Sequence, residues 1–123
     1  MQPELLRVLR MLVERILAEV FPDETGAART QQVGIFTMIF MLQGDEHPVT
    51  AARLAAMTGL QSGQVQRHLQ KLRDIGLVER TAITSPHGRG RAWHLSIKHT
   101  RETEKMVKAL LDGAKGGAKR GRS

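Results

Sequence analysis

The chain has no cysteine and no tyrosine, and among its 123 residues there are one tryptophan and three phenylalanines. The absence of cysteine excludes disulfides, thiolate metal sites and cysteine-based redox sensing, and it fits an intracellular, cytoplasmic setting. No apolar run approaches the roughly 18 residues that a membrane span needs. The N-terminal segment MQPELLRVLRMLVERILAEV has acids and arginines among its apolar positions. It therefore does not read as a signal peptide.

Catalytic and metal-binding patterns are missing as well. None of the five histidines forms an i,i+4 pair on a predicted helix, and no cluster of carboxylates completes a three-ligand site. There is no glycine-rich phosphate loop after a strand, no nucleophile motif and no spaced pair of acids. We therefore predict no enzymatic activity, no metal and no cofactor. His68 lies beside the apolar face of a predicted helix, where a contact between helices is the expected role.

Positive charge is unevenly distributed along the chain. The net charge is +7, but residues 1–46 hold four basic and seven acidic side chains, whereas residues 53–91 hold seven basic and two acidic ones. Residues 113–123 add four basic side chains and no acid. A basic middle segment and tail are what a polyanion-binding surface requires, although solvated charge on a small protein gives the same totals.

Periodicity and capping signals predict a mainly α fold with a small β-hairpin. Helices are expected over Pro3–Phe21, Arg29–Gln43, Ala51–Met57, from the Ser62 cap to Ile75, and from Ser96 or Thr100 to Leu111. Thr50 is the expected N-cap of the third helix and Gly59 its stop, while strands are expected at 77–83 and 92–97. Residues 1–112 then form one domain, with a winged helix-turn-helix at 29–97. Residues 113–123 are predicted to be a disordered basic tail.

The first helix carries two apolar stripes, where a helix lying on one core needs only one. We interpret the second stripe as a contact with another copy of the chain, so residues 1–21 and 98–112 become dimerisation helices. A wide single stripe packed on the same chain is the alternative. The predicted dimer contacts are Leu5, Leu9, Leu12, Ile16, Val107, Leu110 and Leu111.

The helix after Ser62 has one apolar face and one face that lacks carboxylates until Asp74. Val65, Leu69, Leu72 and Ile75 recur at helical spacing. An ordinary solvated helix mixes both signs of charge, whereas a helix that faces phosphates and base edges favours Arg, Lys and Gln. We therefore predict DNA contact by Ser62, Gly63, Gln64, Gln66, Arg67, Gln70, Lys71 and Arg73.

The loop between the two strands, TSPHGRGR, contains glycines and arginines but no acid. Arginines on such a loop can enter a DNA minor groove, where the negative potential is enhanced. We predict DNA contact by Arg89 and Arg91, with a basic loop that touches only water as the alternative. Trp93, on the second strand, is expected to pack under this wing.

These segments resemble the MarR family of bacterial transcriptional regulators. The resemblance lies in Arg53-Leu54-Ala55, the turn at Gly59-Leu60, Ser62 with Val65 and Leu69, and the runs Lys71-Leu72, Gly76-Leu77-Val78-Glu79-Arg80 and Leu95-Ser96. It covers residues 33–100, and the flanking helices match in order only. Membership implies a homodimer on a pseudo-palindromic operator, in many cases a repressor released by a small-molecule effector.

Two features depart from that family's pattern. The wing lacks the family's acid-plus-arginine signature, so either Arg89 or Arg91 is the candidate minor-groove arginine. The chain is also short, which puts a large effector pocket in doubt. The sequence therefore favours a homodimeric, sequence-specific regulator that binds double-stranded DNA, with an unidentified effector possible. In this interpretation Gln64, Gln66 and Arg67 read bases, while Gln70, Lys71, Arg73 and the Ser62 region hold phosphates. The alternative is a winged-helix protein-interaction module without specific DNA binding.

Overall fold

A computed structural model gives the fold, and it describes residues 3–19, 22–84 and 90–98 together with 101, 104, 105, 108 and 109. Within these residues, four helices precede a two-stranded antiparallel sheet. None of the helices in these residues is long and apolar enough to cross a membrane. The elements are α1 (Pro3–Ala18), α2 (Gly26–Met41), α3 (Ala51–Thr58), α4 (Ser62–Asp74), β1 (Val78–Thr84) and β2 (Arg91–Ile97).

Helix α1 buries a single stripe made by Val8, Leu12 and Ile16. It ends at Ala18, three residues before the predicted Phe21. The Arg29 guanidinium closes this end, because its Nη2 donates to the Ile16 carbonyl at 3.1 Å and also to the carbonyl of Glu19. The last carbonyls of the helix thus find a side-chain donor in place of a further turn.

Helix α2 forms the centre of the core. Its N-cap is Thr25, whose Oγ1 accepts from the Ala28 amide at 3.1 Å, so the helix begins three residues earlier than the predicted Arg29. The side chains of Ile35, Phe36 and Ile39 are at most 1% exposed. α2 packs against α1, α4 and β2 through one broad stripe of buried side chains, made by Gln32, Ile35, Phe36, Ile39 and Phe40.

The helix-turn-helix agrees with its predicted signals. Thr50 Oγ1 accepts from the Arg53 amide at 3.1 Å, and Gly59 ends α3 with φ +76°, a conformation that favours glycine. One expectation is wrong by one position: the N-cap of α4 is Gln61, and Ser62 is its first helical residue. The Gln61 amide donates to the Gln64 side-chain oxygen at 3.2 Å, so a residue inside the helix accepts the hydrogen bond of the N-cap amide.

The hairpin joins the helices through β2. Its register runs from Val78 opposite Ile97 to Thr84 opposite Arg91. The Leu95 amide donates to the Val49 carbonyl at 2.8 Å, so the residue before the N-cap of α3 is tied to the wing. Leu77, Val78, Leu95 and Ile97 are buried, whereas the far end of the hairpin is exposed.

The predicted C-terminal helix and the predicted tail after it lie largely outside the described residues. Residues 101, 104, 105, 108 and 109 are helical, in agreement with a helix in this region. The remaining positions of that helix and the predicted disordered tail at 113–123 are not among the described residues.

Candidate nucleic-acid interface

The predicted DNA-contacting residues of helix α4 differ in their exposure to solvent. Val65, His68, Leu69 and Leu72 are buried on one side. The side chains on the opposite side are exposed, and those on the two flanks are partly buried. The exposed set is Ser62, Gly63, Gln66, Arg67 and Gln70, and the partly buried set is Gln64, Lys71 and Arg73. The two flanks have different neighbours.

On one flank lies a groove of about 230 Å³ between α4, the start of α3 and the hairpin, which we call the wing groove. It contains three arginines and no acid among its described lining residues. Burial, and secondly the charge of Arg80, lower the pKa of Arg73, so these two guanidinium groups repel each other. The lining residues are Thr50, Ala51, Ala52, Gln66, Leu69, Arg73, Arg80, Arg91, Ala92, Trp93 and Leu95.

Arg80 and Trp93 are residues of this groove that the sequence-based prediction of the site missed. The Arg80 guanidinium carbon lies 4.3 Å from the centre of the Trp93 ring. Trp93 is 46% exposed, so the expectation that it packs under the wing is wrong. Arg80 pairs with Leu95, and Trp93 is two residues away on the same face, which places the two side chains diagonally across the hairpin. The sequence predicts the two strands without a register, so it does not bring these two side chains together.

On the other flank, α4 faces the loop before α2 and the first turns of α2, across a cleft of about 650 Å³ that we call the α2 cleft. The Lys71 ammonium lies 3.2 Å from a Glu24 carboxylate oxygen, and the Glu24 side chain is only 1% exposed. Lys71 thus has a buried anionic partner, and its predicted phosphate contact competes with that pair. The lining residues are Asp23, Glu24, Thr25, Ala27, Ala28, Gln31, Gln64, Arg67, His68, Gln70, Lys71 and Asp74.

His68 connects α4 to α2. Its ring is 6% exposed, and its Nε2 lies 3.1 Å from the Gln31 side-chain oxygen. The interhelical role that the sequence suggested is therefore confirmed. Burial is the main cause that lowers the pKa of His68, and it outweighs the opposing effect of Glu24. The Lys71 and Arg67 charges act in the same direction as burial.

A chain of three polar side chains covers the C-terminal end of α4. Gln70 Nε2 donates to Asp74 Oδ1 at 2.8 Å, and Arg73 Nη2 donates to Gln70 Oε1 at 2.6 Å. Both ends of the Gln70 amide are therefore occupied inside the helix. Gln70 can offer hydrogen bonds to a ligand only if it breaks one of these exposed, easily exchanged contacts.

The predicted wing residues are partly described. Arg91 is the first residue of β2 and is exposed, next to Gly90 with φ +73°. Arg89 lies outside the described residues. Where the chain is described, no group of three or more His, Cys, Asp or Glu side chains is arranged to hold a metal ion.

The predicted dimer contacts on α1 divide into buried and exposed residues. Leu12 and Ile16 are 2% and 0% exposed within the single chain, so in this conformation they face its own core and are not accessible to a second copy. Leu9 is partly buried against the same core, and Leu5 is 44% exposed. The other large exposed apolar side chains of α1 are Leu6, Met11 and Leu17. Val107, Leu110 and Leu111 lie outside the residues whose side chains are described.

No protein-family model matches the chain, and no curated protein matches it. Among solved structures, it is similar to a possible transcriptional regulator from Methanosarcina mazei Go1, with 13% identity and a TM-score of 0.48 over 93% of this chain and 82% of the other. It is similar to MarR, with 26% identity and a TM-score of 0.46 over 88% of this chain and 68% of the other. It is also similar to wild-type apo MarR from Escherichia coli, with 19% identity and a TM-score of 0.43 over 89% and 75% of the two chains.

Proposed function

We propose that this chain is a transcriptional regulator of the MarR type, a cytoplasmic protein that binds double-stranded DNA as a homodimer and acts as a repressor. The observation that carries the proposal is the wing groove. Arg73, Arg80 and Arg91 line it beside the exposed face of α4, and none of its described lining residues is acidic. Repelling guanidinium groups in a shared groove are stabilised by an external anion, and closely spaced phosphates supply one.

The exposed face of α4 fits a DNA major groove. In this arrangement Gln66 and Arg67, both exposed, approach base edges, and Gln64 lies at the edge of the contact because it is partly buried. Arg73 and Arg80 hold the phosphate backbone from the wing groove. Arg91, with Arg89, reaches the adjacent minor groove from the hairpin.

The dimer uses the apolar side chains of α1 that the core leaves exposed. Leu5, Leu6 and Leu17 are about half exposed. Leu5 continues the buried stripe at the N-terminal end of the helix, and Leu6 and Leu17 lie on the adjoining face. Val107, Leu110 and Leu111 complete this surface in the proposal. A two-fold dimer then presents two α4 helices to half-sites about 34–36 Å apart, one turn of DNA.

Selection of bound fragments from a genomic DNA pool tests the proposal. We expect an enriched sequence with two inverted half-sites, spaced by one helical turn or a multiple of it. Binding to that sequence should weaken steeply with salt and exceed binding to random DNA by at least about a thousandfold. A pool with no enriched sequence, at low as well as at moderate salt, contradicts specific DNA recognition.

A protein-interaction module is the second candidate, because the same exposed leucines of α1 can dock a different protein. Winged helices serve both purposes, and the fold does not decide between them. Sedimentation combined with a gel shift separates the two candidates. A monomer without salt-sensitive DNA binding favours the interaction module, and a dimer that shifts DNA favours the regulator.

A further inference from the structure

Two buried side chains in the α2 cleft have a polar atom without a hydrogen-bond partner. The Glu24 side chain is 1% exposed; one oxygen is paired with Lys71, and the other oxygen, Oε1, is buried without a partner. The His68 ring is 6% exposed, and its Nδ1 is likewise buried and unpartnered. Buried polar atoms in native proteins are nearly always paired, so each of these needs an explanation.

Both unpartnered atoms are hydrogen-bond acceptors. The Gln31 side-chain oxygen can only accept, so the His68 Nε2 that lies 3.1 Å away must carry the proton. Burial keeps the ring neutral near pH 7 by lowering the pKa of His68, so Nδ1 presents a lone pair. The Glu24 carboxylate is also an acceptor. What this part of the cleft lacks is therefore a donor group.

The size and charge of the cleft indicate what kind of donor fits. A volume of about 650 Å³ is in the range of small-molecule sites and far larger than one ion. The charged lining residues are three acids, Asp23, Glu24 and Asp74, and two bases, Arg67 and Lys71. Its net charge is thus negative, on a chain whose total charge is +7. A cationic donor is favoured over an anion.

We propose that the α2 cleft binds a small organic molecule through a primary ammonium or guanidinium group, which donates to Glu24 and to His68 Nδ1. Lys71 is the internal competitor for this site. It is 33% exposed while its partner Glu24 is 1% exposed, so Lys71 is the more solvent-accessible member of the pair. An entering cation replaces that ammonium and releases Lys71 from Glu24.

The same cleft is lined by Gln64, Arg67 and Gln70 of α4. An occupant therefore lies beside side chains that the proposed function assigns to DNA, and loss of the Glu24 contact changes the ion pairing of Lys71 on that face. Any effect of the ligand on DNA affinity rests on the proposed function. Binding of the ligand does not, and its test contains no DNA.

The test uses the full chain with 15N-labelled histidine, titrated with agmatine, which carries both donor groups, and with n-butylamine. n-Butanol, a neutral molecule of similar size, is the control probe, and the spectrum of His68→Gln assigns the His68 signals. We expect saturable shifts of the His68 ring nitrogens with both amines and none with butanol. Shifts that do not saturate, or equal shifts with butanol, overturn the proposal and leave water as the occupant.

Two variants and a control locate the site. Glu24→Gln should weaken amine binding about tenfold or more, because a charge-assisted hydrogen bond becomes a neutral one. Glu79→Gln, an exposed acid on β1, should leave binding unchanged. Equal affinities for the wild-type chain and Glu24→Gln overturn the proposal.

Lys71→Ala should strengthen amine binding, whereas Glu24→Gln should weaken it. Without its internal competitor the cleft should bind n-butylamine about tenfold more tightly, and the amine should raise the melting temperature of this variant more than that of the wild type. If Lys71→Ala does not fold alone, refolding that depends on n-butylamine and not on butanol is the expected result. Weaker binding, or no response of the variant to the amine, contradicts the competition.

Discussion

The two flanks of α4 carry similar side chains in opposite electrostatic situations. In the wing groove, Arg73 and Arg80 are near each other, and no described lining residue is acidic. In the α2 cleft, the Lys71 cation meets a buried carboxylate of the same chain. Charge that the fold itself neutralises stabilises the fold, whereas charge that it leaves unneutralised is available to a ligand. One helix therefore has a flank whose cation is paired within the fold, which we call the structural flank and where an outside cation has to displace Lys71, and a binding flank, the wing groove, whose described lining has no acid.

The largest effect that separates the flanks is expected in the free energy of unfolding. Lys71→Met leaves the buried Glu24 carboxylate without its partner, and breaking a buried ion pair in this way costs about 3–5 kcal/mol. Because Lys71 is 33% exposed, we expect the lower end of that range, measured by urea unfolding.

Arg10→Met is the matched control for this prediction. It breaks the Arg10–Glu14 pair at 3.0 Å, whose side chains are 81% and 60% exposed. An exposed i,i+4 pair contributes only about 0.3–0.5 kcal/mol. Equal losses in the two variants contradict the description of the Lys71 flank as structural.

The second prediction concerns DNA and the exposed centre of α4. Arg67→Ala should reduce discrimination between the selected operator and random DNA by about 1–3 kcal/mol, the contribution of one bidentate base contact. Fluorescence anisotropy with both DNAs measures it. A loss of equal size on both DNAs makes Arg67 a phosphate contact.

Arg73→Gln combined with Arg80→Gln should act differently from Arg67→Ala. If both arginines of the wing groove neutralise phosphates, affinity falls for every sequence. The salt dependence should flatten by about 0.9 in the logarithmic slope for each arginine. An unchanged slope, in binding curves between low and moderate salt, removes the wing groove from the interface.

The sequence was sufficient for the parts of the fold that depend on local signals. Thr50 caps α3 and Gly59 ends it, because capping and a positive φ are properties of single residues and their neighbours. The hairpin follows from two strand-like segments predicted at 77–83 and 92–97, and the structure has them at Val78–Thr84 and Arg91–Ile97; their register was not predicted. The end of α1 was predicted at Phe21 but lies at Ala18, because the Arg29 side chain donates a hydrogen bond to the Ile16 carbonyl near that end.

The site was less predictable because its two flanks differ only through tertiary contacts. Lys71 and Arg73 are both basic residues outside the apolar face of α4, and the sequence assigns both to phosphates, although a spacing of two residues places them on different flanks. Glu24, 47 residues before Lys71, pairs with Lys71 and so competes with its predicted phosphate contact. Arg80 and the hairpin place Arg73 in the wing groove. In α1, Leu12 and Ile16 have the spacing of a dimer stripe, but their burial is decided by the position of α2.

The fourth prediction uses pH to report on the structural flank. Burial lowers the pKa of His68 in the folded state, so below about pH 6.5 the unfolded chain binds more protons than the folded one. Stability should therefore fall as the pH drops below this value, by at most about 1.4 kcal/mol per pH unit from this group. His68→Gln should remove that part of the dependence in urea unfolding at pH 5.0–7.5. A wild-type profile retained by this variant assigns the dependence to other groups.

The smallest effect is expected from the stacked pair on the binding flank. The Arg80 guanidinium over the exposed Trp93 ring is a cation–π contact worth about 0.5–1 kcal/mol at such a site. Trp93→Leu should lower stability by about that amount and keep the charge of Arg80.

Its larger consequence should be for DNA, because the ring holds Arg80 beside Arg73 in the wing groove. We therefore expect DNA affinity to fall in Trp93→Leu with little change in the salt slope, whereas Arg80→Gln changes both. A Trp93→Leu variant with wild-type DNA affinity would show that Arg80 needs no aromatic support to bind phosphate.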